Sequence, residues 1–340
     1  MSMTKQPLIS IIIPNYNRGN LLRETLDSLL AQTHTHWEAV VVDDGSDDES
    51  DEAGQEYADK DARISYEKRT LRPRGAPSCR NQGFQRSNGD YIIFLDSDDL
   101  LAPFCLEQRL TTIIKYPDND FWVFPMLMFR DTPENAVFLW NVEREKSNLN
   151  RFLELDAVWQ TTGPIWKREA VEKMGGFTAG LACWQDVDFH LKALTAGLSY
   201  KMNYDLPPDA YYRQHETGSI SQAEISSPEK MESRKQIFLK NLEKVEKPLS
   251  QTLKDSFRVF ARNVAIGAIK TLNYKVARAV IAAARKHGIF GLRMLFQMQV
   301  LKVLFGLRLN RIPFVGKKID AFIIKGRTKV SIGKHKYEQP

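Results

Sequence analysis

The chain has 340 residues, of which 43% are hydrophobic and 26% charged, with a formal net charge of +6. That balance excludes a disordered or fibrous chain and suffices for one large domain with an appendage. Three scattered cysteines without a CxxC pair exclude a disulfide framework and a zinc site, and no apolar run approaches the roughly 20 residues of a membrane span.

The charge is unevenly divided. Residues 1–229 carry 23 Lys/Arg against 36 Asp/Glu, whereas residues 230–340 carry 25 against 6. Such asymmetry assigns different partners to the two parts, with a boundary near the SSPEK segment that begins at Ser226. The scattered cysteines are expected to be reduced thiols in the cytoplasm, and the LISIII run before Pro14 is too short for a signal peptide.

Leu8 to Ile13 reads as a strand buried on both faces, stopped by Pro14-Asn15-Tyr16-Asn17. Leu21, Leu22, Leu26, Leu29 and Leu30 then recur at helical spacing. Glu38 to Val42 is a second buried strand and ends in Asp43-Asp44-Gly45-Ser46. An acidic helix over 47–61, a short strand over 64–66 and a basic loop broken by Pro73, Gly75 and Pro77 follow. A helix from about Ser78 is expected to stop at a left-handed Asn88-Gly89. Tyr91 to Leu95 is the central strand, and the DxD sequence Asp96-Ser97-Asp98, with Asp99, leaves its C-terminal end. Asn119 to Met128 contains one further strand, and residues 131–160 carry no clear pattern.

Strand and helix in alternation predict a doubly wound, mostly parallel sheet. Such sheets bind ligands beyond the C-terminal ends of their strands, so both acidic clusters are expected at one crevice. Three carboxylates in four residues repel one another unless a cation sits among them. Oxygen ligands of this kind suit Mg²⁺ or Mn²⁺ held together with substrate phosphates. A solvated acidic turn is the plain alternative. No GxGxxG follows the first strand and no GxxxxGK[ST] occurs, so the usual dinucleotide and P-loop cradles are missing.

ISIIIPNYNR, LLAQTH, VVVDDGSDD, Arg80-Asn81-Gln82-Gly83, GDYIIFLDSDD with Pro103, and GGF leading to WQDVDF occur in this order. In these motifs the chain resembles the family 2 glycosyltransferases from about Pro7 to Ser221. The resemblance implies a GT-A nucleotide-diphospho-sugar transferase fold over 1–228, with a donor half of about 1–105 and an acceptor half of about 106–228. It implies inverting transfer of a sugar from a nucleotide-diphosphate donor, UDP by default, to a glycan or lipid-linked acceptor. Mn²⁺ or Mg²⁺ would assist, and the setting would be cell-surface polysaccharide or lipopolysaccharide biosynthesis.

Site roles follow from the same resemblance. Asp98 would ligate the metal directly, Asp96 would meet the ribose or the metal's water shell, and His215 would complete the coordination. Ser97 lies between the two ligating positions. Pro14, Tyr16 and Asn17 would pack against the base, and Asp44, with Asp43 beside it, would accept the imide N–H of uracil. Arg80 and Arg213 would reach the diphosphate. Asp99 either serves the site or caps the next helix. Asp186 matches the general base, although an Asp at a helix start is also a favoured N-cap. Gln185 stands where the family usually has Glu, and Trp184 offers an acceptor-stacking face. The 161–168 segment resembles the acceptor cleft, and the 211–221 segment a loop closing over the donor. A phosphatase of the haloacid dehalogenase type could also use DxD but leaves VVVDDGS unexplained. A non-catalytic nucleotide-sugar- or nucleic-acid-binding scaffold is the remaining alternative.

From Pro228 onward the pattern is helical. The 64 residues from Ser256 to Ile319 contain no acid and 13 Lys/Arg. Lys275, Arg278, Arg285 and Lys286 share one helical arc, opposite Val276, Val280, Ala283 and Ala284. Leu292 to Leu309 is richly apolar, broken by Arg293, Lys302 and Arg308. Cations interleaved with aliphatic side chains suit lipid better than nucleic acid, so no nucleic-acid partner is expected. Residues 229–340 therefore read as helices lying on an anionic membrane surface, with the enzyme peripheral on the inner face of the cell membrane. Packing of Leu292 to Leu309 as a core helix is the competing reading.

Overall fold

The computed structural model describes residues 6–215, 227–325 and 332–337. The first part runs β1 (Ile9–Asn15), α1 (Gly19–Leu30), β2 (Trp37–Asp43), α2 (Ser50–Lys60), β3 (Ile64–Lys68), α3 (Ala76–Arg86) and β4 (Tyr91–Phe94). There follow β5 (Leu100–Leu101), α4 (Cys105–Lys115), β6 (Phe121–Val123), β7 (Met126–Phe129), β8 (Phe138–Leu139) and α5 (Asn148–Leu153). Next come β9 (Pro164–Lys167), α6 (Arg168–Met174), α7 (Gln185–Thr195), β10 (Tyr200–Met202) and β11 (Ala210–Arg213). The last part holds α8 (Pro228–Lys244), α9 (Gln251–Lys270), α10 (Tyr274–Lys286), α11 (Leu292–Gly306), α12 (Pro313–Lys325) and β12 (His335–Lys336).

Seven strands form a mixed sheet in the order β10-β6-β9-β4-β1-β2-β3. β1 is parallel to both its neighbours, while β9 runs antiparallel to β4 and β6. The uniformly apolar sequence of β1 is explained by its place: every residue of it is buried between helix layers. Its register levels Asn15 with Asp43 and Ile12 with Phe94, so the ends of β2, β1 and β4 open side by side. α3 can lie close against β1 because it carries Gly83 there. A Cβ at that position would fall 2.5 Å from Ile12 Cγ2.

Two expectations are corrected. The single strand expected over 119–128 is two strands, divided at Phe124-Pro125, because proline has no N–H for a ladder. β6 stays in the main sheet, while β7 joins the smaller sheet of order β12-β8-β7-β11-β5. The α3 helix ends at Arg86 on an extended Ser87, without a left-handed glycine. Gly89 is required for another reason: a Cβ would sit 2.3 Å from Ser10 Oγ and 2.6 Å from the Ser10 amide nitrogen.

The expected boundary at 228–229 falls at the start of α8, yet one apolar core continues across it. Phe94, Phe121, Trp166 and Phe189 of the α/β part belong to the same cluster as Phe238, Phe257, Phe260 and Val280. The apolar face of α10 is likewise turned inward, burying Val276, Ala277, Val280 and Ala284. A shared core predicts shared unfolding. Phe260→Ala, in α9, should cost about 3–5 kcal/mol. All six tryptophans lie at or before Trp184, so their fluorescence reports on the α/β part. Its denaturation midpoint should fall together with the far-UV circular dichroism midpoint; an unmoved tryptophan transition would mean two independent cores.

Candidate active site

At the end of β2 the two adjacent aspartates have different tasks. Asp43 is fully buried and builds the turn: Oδ1 accepts from the Gly45 and Ser46 amides at 2.9 and 2.8 Å. Its Oδ2 accepts from Ser46 Oγ at 2.6 Å and Asn15 Nδ2 at 2.9 Å. Asp44 points into the basic loop. It pairs with Arg69, with Arg74 at 3.3 Å, and with the Gly75 amide at 3.2 Å. Arg74 also lies 4.4 Å over the ring of Tyr16, which is 47% exposed beyond the buried Pro14. Asn17, at φ 50°, ties the β1 turn to the β2 turn through Asp47 at 2.7 Å. Asp44, Arg74 and Tyr16 thus lie together beyond the C-terminal ends of β1 and β2.

At the end of β4 each aspartate has separate partners. Asp96 Oδ1 pairs with Arg80 at 2.5 Å, and Oδ2 accepts from Gln160 Nε2 at 3.1 Å. Asp98 Oδ2 meets Arg18 and His215 Nε2, each at 2.6 Å. Ser97 is buried between them. Asp99 does not cap α4, whose N-cap is Phe104. It is fully buried, accepting from the Arg213 amide at 3.1 Å and from Thr162 Oγ1 at 3.0 Å. Burial, reinforced by Asp98 and Asp96, pushes its carboxyl well above the usual range.

Asp98 and His215 bring one oxygen and one nitrogen donor to a common point. Among the described residues no group of three His, Cys, Asp or Glu closes into a metal cage. Two protein donors, leaving room for phosphate oxygens and water, fit Mg²⁺ or Mn²⁺ bound together with a diphosphate. Asp96, with protein partners on both oxygens, stands beside this pair. Arg213 is placed otherwise than expected. Its guanidinium bonds the Asp98 carbonyl at 2.9 Å, pairs with Glu24 at 2.5 Å and lies over Phe129, so it braces the loop that carries Asp98. The 218–221 part of the expected closing loop lies outside the described residues.

Arg80 joins the donor side to α7. Besides Asp96, it donates to Gln185 Oε1 at 3.4 Å and packs over Phe177 at 5.0 Å. Asp186 follows on the first turn of α7. The N-cap of that helix is Trp184, held at φ 57°, so Asp186 is not the N-cap. Burial raises the pKa of Asp186. The Val187 amide and the charge of Arg80 oppose the rise, and Asp96 adds to it. Trp184 is half-buried, with Arg234 of α8 at 4.4 Å over its ring and Phe260 of α9 at 5.6 Å between ring centres.

Several of these partners had no assigned role in the sequence reading. Arg18 closes the quoted PNYNR motif, and Arg69 and Arg74 lie in the basic loop opposite two acidic turns; charge complementarity was the available signal. Glu24 and Gln160 carried none, because both act across about 189 and 64 residues of chain.

Comparison with known proteins agrees with this geometry. A sequence model for "Glycosyl transferase family 2" matches residues 10–174. An uncharacterized glycosyltransferase of Haemophilus influenzae is 30% identical over 201 residues, 58% of this chain and 67% of that one. An uncharacterized glycosyltransferase of Rickettsia typhi is 28% identical over 329 residues, 95% of this chain and 98% of that one. S. aureus TarS 1–349 in complex with UDP-GlcNAc superposes with TM-score 0.58 at 17% identity, over 82% of this chain and 90% of that one. The mannosyltransferase PcManGT from Pyrobaculum calidifontis, in complex with GDP-Man and Mn²⁺, gives 0.53 at 19% identity, over 95% and 86%. The chain belongs to glycosyl transferase family 2 and is a glycosyltransferase of GT-A fold.

Proposed function

We propose that the enzyme transfers a sugar from a UDP-linked donor to a hydroxyl of a glycan or lipid-linked acceptor, with inversion at the anomeric carbon. One observation carries this reading: His215 pairs with Asp98, two residues along the same turn Asp96 pairs with Arg80, and Arg80 reaches Gln185 and acts through its charge on Asp186. It supports a reading in which a diphosphate and metal ion lie toward Asp98 and His215 and a carboxylate base lies toward Asp186. TarS with UDP-GlcNAc, and PcManGT with GDP-Man and Mn²⁺, support a nucleotide-sugar donor and a divalent ion.

Asp98 and His215 would hold Mn²⁺ or Mg²⁺. When bound, the ion supplies positive charge to the departing diphosphate. Asp44 and Tyr16 would receive the base. The acceptor oxygen attacks the anomeric carbon, the bond to the diphosphate breaks with its electron pair leaving on the phosphate oxygen, and Asp186 takes the acceptor's proton. Burial raises the pKa of Asp186 and makes it a stronger base than an exposed carboxylate, while the charge of Arg80 opposes part of that rise. Arg234 over Trp184 makes the acceptor side cationic, which suits an acceptor carrying phosphate. Assembly of a cell-surface polysaccharide or lipopolysaccharide is the proposed setting.

Asp98→Ala should abolish Mn²⁺-dependent UDP binding in titration calorimetry while leaving the fold intact; wild-type affinity in the variant would remove Asp98 from the site. Asp186→Asn should bind UDP normally yet lower UDP release from UDP-sugars by at least about 10². Near-wild-type turnover would leave Asp186 a structural role only. Since the base acts deprotonated, kcat/KM should rise with pH through the pKa of Asp186. Arg80→Gln removes a positive charge that lowers this pKa, so the rising limb should move to higher pH. A limb that stays in place would separate Arg80 from Asp186.

A further inference from the structure

α11 is apolar on two opposite sides. Met298, Leu301 and Phe305 are buried against the rest of the protein. Leu292, Phe296, Val300, Val303 and Leu307 are instead exposed, by 87%, 70%, 39%, 57% and 66%. At about 100° per residue these five occupy an arc of about 80°, opposite the buried three. Ile312 and Phe314, next along the chain, are 48% and 67% exposed. Isolated exposed apolar side chains are ordinary, but a row of this length on one helix face marks an interaction surface.

Charge identifies the partner. Arg293, Arg308, Arg311, Lys317 and Lys318 are exposed along the same segment, and on α10 Lys275, Arg278, Arg285 and Lys286 are all exposed. No acidic residue lies between Asp255 and Asp320. A second copy of the chain would bring these cations against their own kind. Nucleic acid would satisfy the cations but leave the apolar row in water. We propose that the exposed face of α11, with its cationic border, docks the enzyme on an anionic lipid bilayer at the inner face of the cell membrane. The apolar row enters the acyl boundary and the cations meet the headgroups. Among the described residues no helix is long and apolar enough to cross a membrane, so the contact is peripheral. This refines the sequence expectation: α10 contributes cations only, since its apolar face packs inward, and α11 serves both the core and the surface.

The surface is independent of the donor chemistry, which gives the test a separate control. Because the core is shared, point variants of the full chain replace truncation. The full chain should float with phosphatidylcholine–phosphatidylglycerol vesicles at low salt, bind phosphatidylcholine vesicles weakly, and be only partly released by high salt. Phe296→Glu with Val303→Glu should lower vesicle partitioning by at least about tenfold while UDP binding and circular dichroism stay unchanged. Phe296→Ser with Leu307→Ser, a milder change at exposed sites, should act in the same direction and covers misfolding of the first variant. A wild-type chain that fails to float at low salt would overturn the proposal. So would variants that partition like wild type, or variants that convert a dimer to a monomer without altering vesicle binding. Failure of UDP binding alone would instead count against the donor reading.

Discussion

Crowding of negative charge where β4 ends is the constraint on which the site depends. Two carboxylates about 4 Å apart repel by about 4 kcal/mol at an effective dielectric near 20, and here Asp96, Asp98 and Asp99 follow within four residues. The fold answers each differently. Asp96 has Arg80 and Gln160, Asp98 has Arg18 and His215, and Asp99 is buried with an amide and a hydroxyl and a carboxyl pKa pushed upward. The compensating groups come from the β1–α1 turn, α3, the loop before β9 and the end of β11.

Arg80 shows how compensation and chemistry share one group. Its guanidinium offsets Asp96, contacts Gln185 and lowers the pKa of Asp186. Gln185 is a neutral partner for Arg80, so it leaves the guanidinium's charge to the two aspartates. The buried Nε of Arg80 has no hydrogen-bond partner among the described residues.

The C-terminal helices belong to the same physical object. α8 and α9 bring Arg234 and Phe260 against the ring of Trp184, the residue that precedes α7 in a left-handed conformation. A non-glycine residue held there costs of order 1 kcal/mol or more and persists only where packing enforces it. The helical part thus helps to set the position of Asp186, and through α11 the same part presents its apolar row outward.

Much of this was legible in the sequence because it rests on local rules. Continuous apolar runs gave β1, β2 and β4, acidic turns marked the strand ends that face a ligand, and an acid-free stretch singled out the basic helices. Local pattern also reached its limits at identifiable residues. Pro125 splits one apparent strand between two sheets, and Gly89 serves close packing on Ser10 where a helix stop was expected. Tertiary structure alone decided that Asp43 is consumed by its own turn while Asp44 faces Arg69 and Arg74, because adjacent side chains of a strand end point to opposite sides. It alone decided that Arg213, paired with Glu24, braces the Asp98 carbonyl, and that one side of α11 is core and the other exposed. Periodicity tells which residues share a face; only the packed neighbours tell whether that face is covered.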